Sequence, residues 1–313
     1  MTDPLSIAAD LDAACLANIA EPSRDMAPVV YYGGKGNLLP RILPLLTGGQ
    51  VYCEPYCGAA SLFFAKRPHP VEVLNDLNTD LVNLFRCLQD PATFAELSHR
   101  IIWTPYSVDE FRRALAIQAD PAEQNPILRA WSFYTCQNQG FSGTAETEGN
   151  WGRAFVDYRG MADTANKWRG RMKRLSFWHD RLTCAQIDNR DALEVIRFWD
   201  SPDTLFYLDP PYIAETRVKG KRNIYRHEAD AAHHTALVEL LLTVKGRVVL
   251  SGYDHPIYAP LFAAGWDVAK HETASYAASR QRGGKIRGKG SALAAVPRTE
   301  CVWTNRSEGR TLF

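Results

Sequence analysis

No apolar run in this chain approaches the ~20 residues that a bilayer crossing requires. Its first residues carry Asp3, Asp10 and Asp12 where a secretory leader needs a basic start and an apolar block. Neither a membrane protein nor a secreted one is expected, and a cytoplasmic location is. Cysteine supplies no scaffold either. Seven cysteines, an odd number, are spread from Cys15 to Cys301 without close pairs at metal-ligand spacing, which argues against a disulfide framework and against a zinc site. Cys53 and Cys57 flank a proline and read as buried small residues. Strong charge of one sign is missing too: the net charge is +1, so any contact with a polyanion has to come from local basic patches. There is no internal repeat, no low-complexity tract and no Gly-x4-Gly-Lys-Ser/Thr phosphate loop. What is there is 313 residues, 46% hydrophobic and 23% charged, the composition of a globular enzyme. That length suits one large α/β domain or a core domain with an insertion.

The stretch that organises the rest is Leu205-Phe206-Tyr207-Leu208-Asp209-Pro210-Pro211-Tyr212. Four apolar residues running into an acid and two prolines predict a buried strand that stops at its carboxyl end. The prolines fix their own φ and donate no N–H, so the Asp209 and Pro210 carbonyls face the site as acceptors only. An acceptor cluster beside an aromatic face suits a planar amine. The Asp209 carboxylate and the Pro210 carbonyl can take the two protons of an exocyclic amino group while Tyr212 stacks on the ring that bears it. Alone, such a tetrapeptide is more often a strand-ending turn with a core tyrosine.

Its company changes that balance. Residues 1–27 are alanine-rich and acidic, with a helix expected over roughly 5–19, and form a leader of unknown role. Val29-Val30-Tyr31-Tyr32-Gly33-Gly34-Lys35-Gly36 then reads as an extended pair, two aromatics and a glycine turn, where the backbone can approach a ligand and Lys35 can meet a carboxylate or phosphate. Val51 to Phe64 has the form strand, small-residue turn, helix around Glu54-Pro55-Tyr56-Cys57-Gly58, the opening of a Rossmann-like unit. Val71 to Asp76 predicts a second strand ending in an acid roughly 20 residues past that turn, where such folds hold a ribose diol. The turn is poor in glycine for a pyrophosphate, so a nucleoside without phosphates, such as S-adenosylmethionine, fits better.

At this point the chain resembles the Dam-type DNA adenine methyltransferases of bacteria and phages. Four segments match in order: the aromatic-Gly-Gly-Lys loop at Tyr31 to Lys35, the Glu-Pro-aromatic-x-Gly turn at Glu54 to Gly58, the Asn-Asp-x-Asn turn at Asn75 to Asn78, and Asp209-Pro210-Pro211-Tyr212. Weaker echoes at Asn189-Arg190-Asp191, Val248 to Tyr253 and Glu300 to Asn305 extend it over about residues 28–306. The resemblance implies an α/β fold, a Rossmann-like mixed sheet with a helical DNA-recognition insertion. It also implies transfer of a methyl group from S-adenosylmethionine to a flipped adenine in double-stranded DNA, with no metal. The implied cofactor residues are Tyr31, Gly34, Lys35, Glu54, Gly58, Asp76, Asp191 and Asp209, with Glu54 and Gly58 at the methionine end and Asp191 near the adenine. Asp209, Pro210 and Tyr212 are the implied catalytic residues. The Glu-Pro turn departs from the family pattern at Ala60, where a second glycine is usual; alanine is harmless there in a helix and unfavourable at positive φ.

The catalytic part is expected over 28–86 and 182–313, with a helical target-recognition insertion over 87–181. Helices are predicted around Thr93–Ile102, Ser107–Gln118 and Pro126–Tyr134, and the aromatic-rich stretch Trp131 to Gly143, with Gln137, Asn138 and Gln139, resembles a family segment that lies beside the DNA. Asn and Gln can read adenine edges bidentately, which makes Asn138 a candidate. Three runs without intervening acids are candidate phosphate contacts: Lys167, Arg169, Arg171, Lys173 and Arg174 around Trp168; Arg217, Lys219, Lys221, Arg222 and Arg226; and Arg280, Arg282, Lys285, Arg287 and Lys289 among glycines. His233 and His234 start a predicted helix, lack metal partners at workable spacing and read as structural. No motif sets an oligomeric state, and a monomer is the working expectation. Two other readings stay open: amino methylation of cytosine, whose enzymes tend to show Ser-Pro-Pro-Tyr, and a regulator that binds cofactor and DNA without chemistry.

Overall fold

The structure is a computed structural model that describes residues 26–31, 38–141, 147–154, 157–158, 161–213, 230–275 and 296–305. In chain order the elements are α1 (Leu39–Ile42), β1 (Val51–Glu54), α2 (Ser61–Ala65), β2 (Val71–Asn75) and α3 (Thr79–Gln89). A helical stretch follows, α4 (Pro91–Ile102), α5 (Val108–Ala119) and α6 (Pro126–Gln139), then the small hairpin β3 (Asp157–Tyr158) and β4 (Met161–Ala162), α7 (Asp163–Met172) and α8 (Leu175–Thr183). The chain returns to the sheet with β5 (Ala185–Asp188), α9 (Ala192–Trp199), β6 (Thr204–Leu208), α10 (Ala231–Leu241), β7 (Arg247–Tyr253), α11 (Ala259–Ala263), β8 (Asp267–Ser275) and β9 (Val296–Thr304).

The main sheet has the order β5-β2-β1-β6-β7-β9-β8. Its first five strands are parallel, and β9 runs antiparallel to both β7 and β8. A parallel sheet is covered on both faces by its crossover helices, so its central strands read as continuous apolar runs. All of Thr204–Leu208 is buried accordingly. One apolar cluster covers the face carrying Tyr52, Leu74 and Tyr207, and a second, with Leu237, Val238 and Trp303, covers the face carrying Cys53, Phe206 and Leu208. This is the Rossmann-like mixed sheet expected from the strand and turn pattern.

The helices between β2 and β5 form where the sequence places them, because their starts carry caps. Asp90 accepts from Thr93 N–H at 2.9 Å with Pro91 in the first turn, Ser107 accepts from Glu110, and Asn125 accepts from Ile127 and Leu128. They do not build a separate core: Leu97, Trp131, Tyr134, Trp168 and Trp178 belong to the same apolar cluster as Tyr52 and Leu205 of the sheet. Every residue from Ala130 to Cys136 is buried, the pattern of a helix covered all round. The aromatic stretch expected beside DNA is thus, up to Cys136, an interior helix, while Phe141 just beyond it is exposed. Indole N–H groups are satisfied internally, Trp178 on the Met26 carbonyl at 2.7 Å and Trp168 on the Thr104 carbonyl at 3.0 Å. Among the described residues no helix is long and apolar enough to cross a membrane.

A buried ionic knot joins the two regions. Glu72 of β2, 1% exposed, pairs with Lys66 and with Arg181 of α8. Arg181 Nη2 also donates to the Phe63 carbonyl at 3.2 Å, and its guanidinium lies 3.8 Å from the Phe63 ring centroid. Removing Arg181 leaves Glu72 paired with Lys66 alone, and the Oε2 that Arg181 Nη1 held is left unsatisfied in a low-dielectric interior. Arg181→Met is therefore expected to lower unfolding stability by about 3–5 kcal/mol in urea denaturation, and a midpoint equal to the wild type contradicts that role.

Candidate active site

The parallel strands deliver their carboxyl ends to one edge of the sheet. From β1 the chain proceeds outward to β2 and β5, whereas β6 and β7 lie on the other side of β1. Strand order therefore reverses between β1 and β6, and such a switch point opens a crevice at the carboxyl ends. The crevice is flanked by the turn after β1, Pro55 to Gly58, and by Asp209 to Tyr212 after β6. The residues after β2 close one side.

Asn75, 1% exposed, ties three of these ends together. Its Nδ2 donates to the Pro55 carbonyl at 2.9 Å and the Arg190 carbonyl at 3.0 Å, its Oδ1 accepts from Arg190 N–H at 2.9 Å, and its backbone carbonyl accepts from Cys57 N–H at 2.9 Å. Asp76 follows, half-buried. Its Oδ2 accepts from Gly58 N–H at 2.9 Å, its Oδ1 from Asn78 N–H at 2.9 Å, and its carbonyl from the Asn189 amide at 2.6 Å. These bonds orient the Asp76 carboxylate. Asn78 caps α3 and donates to the Tyr31 hydroxyl at 3.2 Å. Gly58 has φ +48, and a Cβ there would meet Tyr31 Cδ1 at 3.3 Å; the missing side chain leaves a cradle between Tyr31, Gly58 and Asp76.

Ala60 adopts φ 54, ψ 38 and is fully buried. The position where the resemblance expects glycine is thus left-handed. Alanine costs about 1–2 kcal/mol in that conformation, and burial of its methyl group, about 0.8 kcal/mol, offsets part of it.

On the other side of the switch point Asp209 is half-buried and Pro210 is buried. Tyr212 is 8% exposed, and its ring lies on Tyr253 at the end of β7, with centroids 4.3 Å apart and a 54° tilt. The Pro211 carbonyl meets His234 Nε2 at 2.9 Å. The Tyr56 hydroxyl, in the turn after β1, meets His233 Nε2 at 2.7 Å. Beneath the crevice Glu54, 1% exposed, accepts from the Tyr52 hydroxyl at 2.5 Å. Burial pushes its carboxyl up to about 7, against the downward pull of that hydrogen bond and of the Lys66 charge.

Tyr31, Gly58 and Asp76 therefore meet at one strand-end cluster, and Asp209, Pro210 and Tyr212 at the neighbouring one. Glu54 turns inward and supports the turn from below. Asp191 accepts from Leu193 N–H at 2.9 Å and Glu194 N–H at 3.4 Å as the cap of α9, which places its carboxylate on a helix start. Asn138 is engaged inside the chain: Oδ1 accepts from Val30 N–H at 3.2 Å and Nδ2 donates to the Pro28 carbonyl at 3.0 Å. The donor and acceptor pair that suits an adenine edge here pins the segment leading to Tyr31. Arg169 is exposed on α7, whereas Trp168 and Arg171 of the same basic run are buried. Gly34, Lys35, Arg217, Lys221, Arg222, Arg282 and Lys285 lie outside the described residues. Two contacts of the site come only from the fold: the Tyr253 ring on Tyr212, and the histidine pair on Tyr56 and Pro211. A β7 end beside β6 signals the former; the latter carries no local signal.

Residues 31–261 match the family described as D12 class N6 adenine-specific DNA methyltransferase. The chain belongs to this family. It is also similar to the DNA N-6-adenine-methyltransferase of Escherichia phage P1, with 26% identity over 218 residues; the aligned region is 67% of this chain and 27% of that protein. In this D12-class chain the family match ends within α11, so β8 and β9 lie beyond the matched span.

Glu54 gives this site a pH signature. Its native carboxyl titrates near 7 and an unfolded one near 4.3–4.5, so its contribution is complete below about 4.5 and is lost as pH rises through about 7. Glu54→Gln keeps an acceptor for Tyr52 and removes the titration. Its stability relative to the wild type is expected to rise between about pH 4.5 and 7 and then level off; a difference that stays constant across that window contradicts this assignment.

Proposed function

We propose that this chain transfers a methyl group from S-adenosylmethionine to the exocyclic amino group of an adenine rotated out of double-stranded DNA. The observation that carries the reading is the pairing of two strand-end clusters across one switch point: the cradle of Tyr31, Gly58 and Asp76, and the acceptors of Asp209 and Pro210. The phage relative is more than three times as long as the segment it shares with this chain, so activity, substrate and cofactor are proposed from this chain's own residues.

Those residues fit the cofactor. Asp76, oriented by Gly58 and Asn78, suits the ribose diol, and the glycine-poor turn at Gly58, packed on Tyr31, suits a nucleoside without phosphates better than a pyrophosphate. When bound, S-adenosylmethionine supplies an electrophilic methyl group. The chain's task is then to present the amine. In adenine the amino lone pair is delocalised into the ring and is a poor nucleophile. The Asp209 carboxylate and the Pro210 carbonyl accept its two N–H groups, favour a pyramidal nitrogen and aim the lone pair into the crevice. As positive charge develops on that nitrogen, the same fixed acceptors stabilise it, and the Asp209 side is the exit for the proton released. Tyr212, with Tyr253 against it, forms the aromatic wall that replaces stacking lost from the duplex, worth ~1–3 kcal/mol per base against a flipping cost of a few kcal/mol.

Residues 87–181 are the proposed DNA-facing insertion, with Arg169 among its phosphate contacts; the basic runs at 217–226 and 280–289 complete the clamp. Binding through such contacts weakens steeply with salt.

The test is incubation of the chain with mixed-sequence duplex DNA and isotopically labelled S-adenosylmethionine, followed by mass spectrometry of the nucleosides. N6-methyladenine is the expected product, lowered about 100-fold or more in Asp209→Ala with circular dichroism unchanged. Label on cytosine alone, or Asp209→Ala at normal turnover, overturns the assignment.

A further inference from the structure

Two adjacent histidines at the start of α10 reach the two halves of the crevice. Asp230 caps the helix by accepting from His233 N–H at 2.8 Å. From that fixed start His233 meets the Tyr56 hydroxyl of the turn after β1, and His234, fully buried, meets the Pro211 carbonyl of the acceptor loop. On its other side His234 Nδ1 lies 2.9 Å from the hydroxyl of Tyr258, a residue 4% exposed whose ring packs on Trp303 with centroids 4.6 Å apart.

These partners fix the proton. A carbonyl only accepts, so Nε2 of His234 carries the hydrogen and donates it to Pro211. In the neutral ring Nδ1 is then the acceptor and the Tyr258 hydroxyl the donor. Burial pushes the imidazole down to about 4, reinforced by His233 and His255 and opposed by the Pro211 carbonyl and Asp230. Near neutral pH the ring is uncharged, with one tautomer.

The contact matters because of what it holds. In Asp209-Pro210-Pro211-Tyr212 both proline rings lock φ, which leaves the ψ angles to set where the acceptors and the tyrosine point. Holding the Pro211 carbonyl fixes ψ of Pro211 and with it the Pro211–Tyr212 peptide plane. We infer that His234 is a positioning residue for the methyl-transfer step: a neutral, Nε2-protonated imidazole that holds the Pro211 carbonyl so that the Asp209 and Pro210 acceptors and the Tyr212 ring face the target base together. This rests on the proposed reaction and adds to it a residue that touches neither substrate nor cofactor.

The test compares the 313-residue wild type with His234→Leu, His234→Gln and Tyr258→Phe in steady-state methylation of duplex DNA, with cofactor and DNA affinities measured separately. A misplaced acceptor loop costs about 10- to 100-fold in kcat, so His234→Leu is expected to lose that while both affinities hold. His234→Gln, whose amide nitrogen can occupy the place of Nε2, recovers most of it. Tyr258→Phe removes the donor that holds Nδ1 unprotonated, so the acid limb of kcat is expected to move to higher pH than in the wild type. Unchanged kcat in His234→Leu, or a glutamine that recovers nothing, overturns the inference. Nitrogen-15 NMR of the histidine rings separates this from the reaction itself. If the wild type methylates no adenine, the proposed function fails, and the contact is still decided. A neutral Nε2–H ring kept to about pH 5 supports it, and protonation near 6.5 overturns it.

Discussion

The site depends on the buried amide of Asn75. One side chain at the end of β2 satisfies the Pro55 carbonyl from the β1 turn and both backbone groups of Arg190 beyond β5. Loop carbonyls and N–H groups at a buried strand edge are left without water, and each orphan costs about 1–3 kcal/mol. Satisfying several of them with one planar amide fixes the relative height of three neighbouring strand ends. Asp76 comes next in the chain, so its position is inherited from that bracket and refined by Gly58 and Asn78.

The β1–β6 switch point then decides what the bracket can serve. Two turns that follow neighbouring strands but lead to opposite flanks of the sheet open a space between them. One turn ends in a glycine at positive φ beside a carboxylate, the other in an acid and two prolines. A nucleoside and an amine can be held on opposite sides of the same gap, which is the arrangement that a direct group transfer needs. The histidine pair of α10 spans the gap from behind, joining Tyr56 to the acceptor loop. The helices between β2 and β5 share the sheet's apolar cluster, and Arg181 of that region reaches Glu72 in β2. The region that carries the exposed Arg169 is thereby coupled mechanically to the strand whose end forms the cradle.

The sheet was legible because its signals are local. Apolar runs stopped by Asp209 and by Asn75-Asp76 mark strand ends within a few residues, and the caps at Asp90, Ser107 and Asn125 mark helix starts in the same way. The acceptor loop stands out too, since Asp209, Pro210 and Tyr212 lie on one continuous segment, whereas Tyr31, Gly58 and Asp76 come from three segments that only the fold brings together. Contacts between distant segments were not legible. Nothing near Asn138 indicates that its amide closes on Pro28 and Val30, residues more than a hundred positions earlier. Likewise, the aromatics from Trp131 to Tyr134 look available for a ligand until the helix around them is seen to be buried on every side. His234 reads as an ordinary core histidine because its partners Pro211 and Tyr258 come from two other segments. At Ala60 the sequence shows a departure from the family pattern, whereas its left-handed backbone is visible only in the fold.

The central claim is that the bracketed end of β2 presents Asp76 to the ribose of a methyl donor. Calorimetric titration of S-adenosylhomocysteine, the unreactive product form, into wild type and Asp76→Ala measures this directly. Loss of hydrogen bonds to a charged acceptor is worth about 1.5–3 kcal/mol, so the variant is expected to bind at least about tenfold more weakly while its circular dichroism stays that of the wild type. Equal affinity in a folded variant would contradict the account.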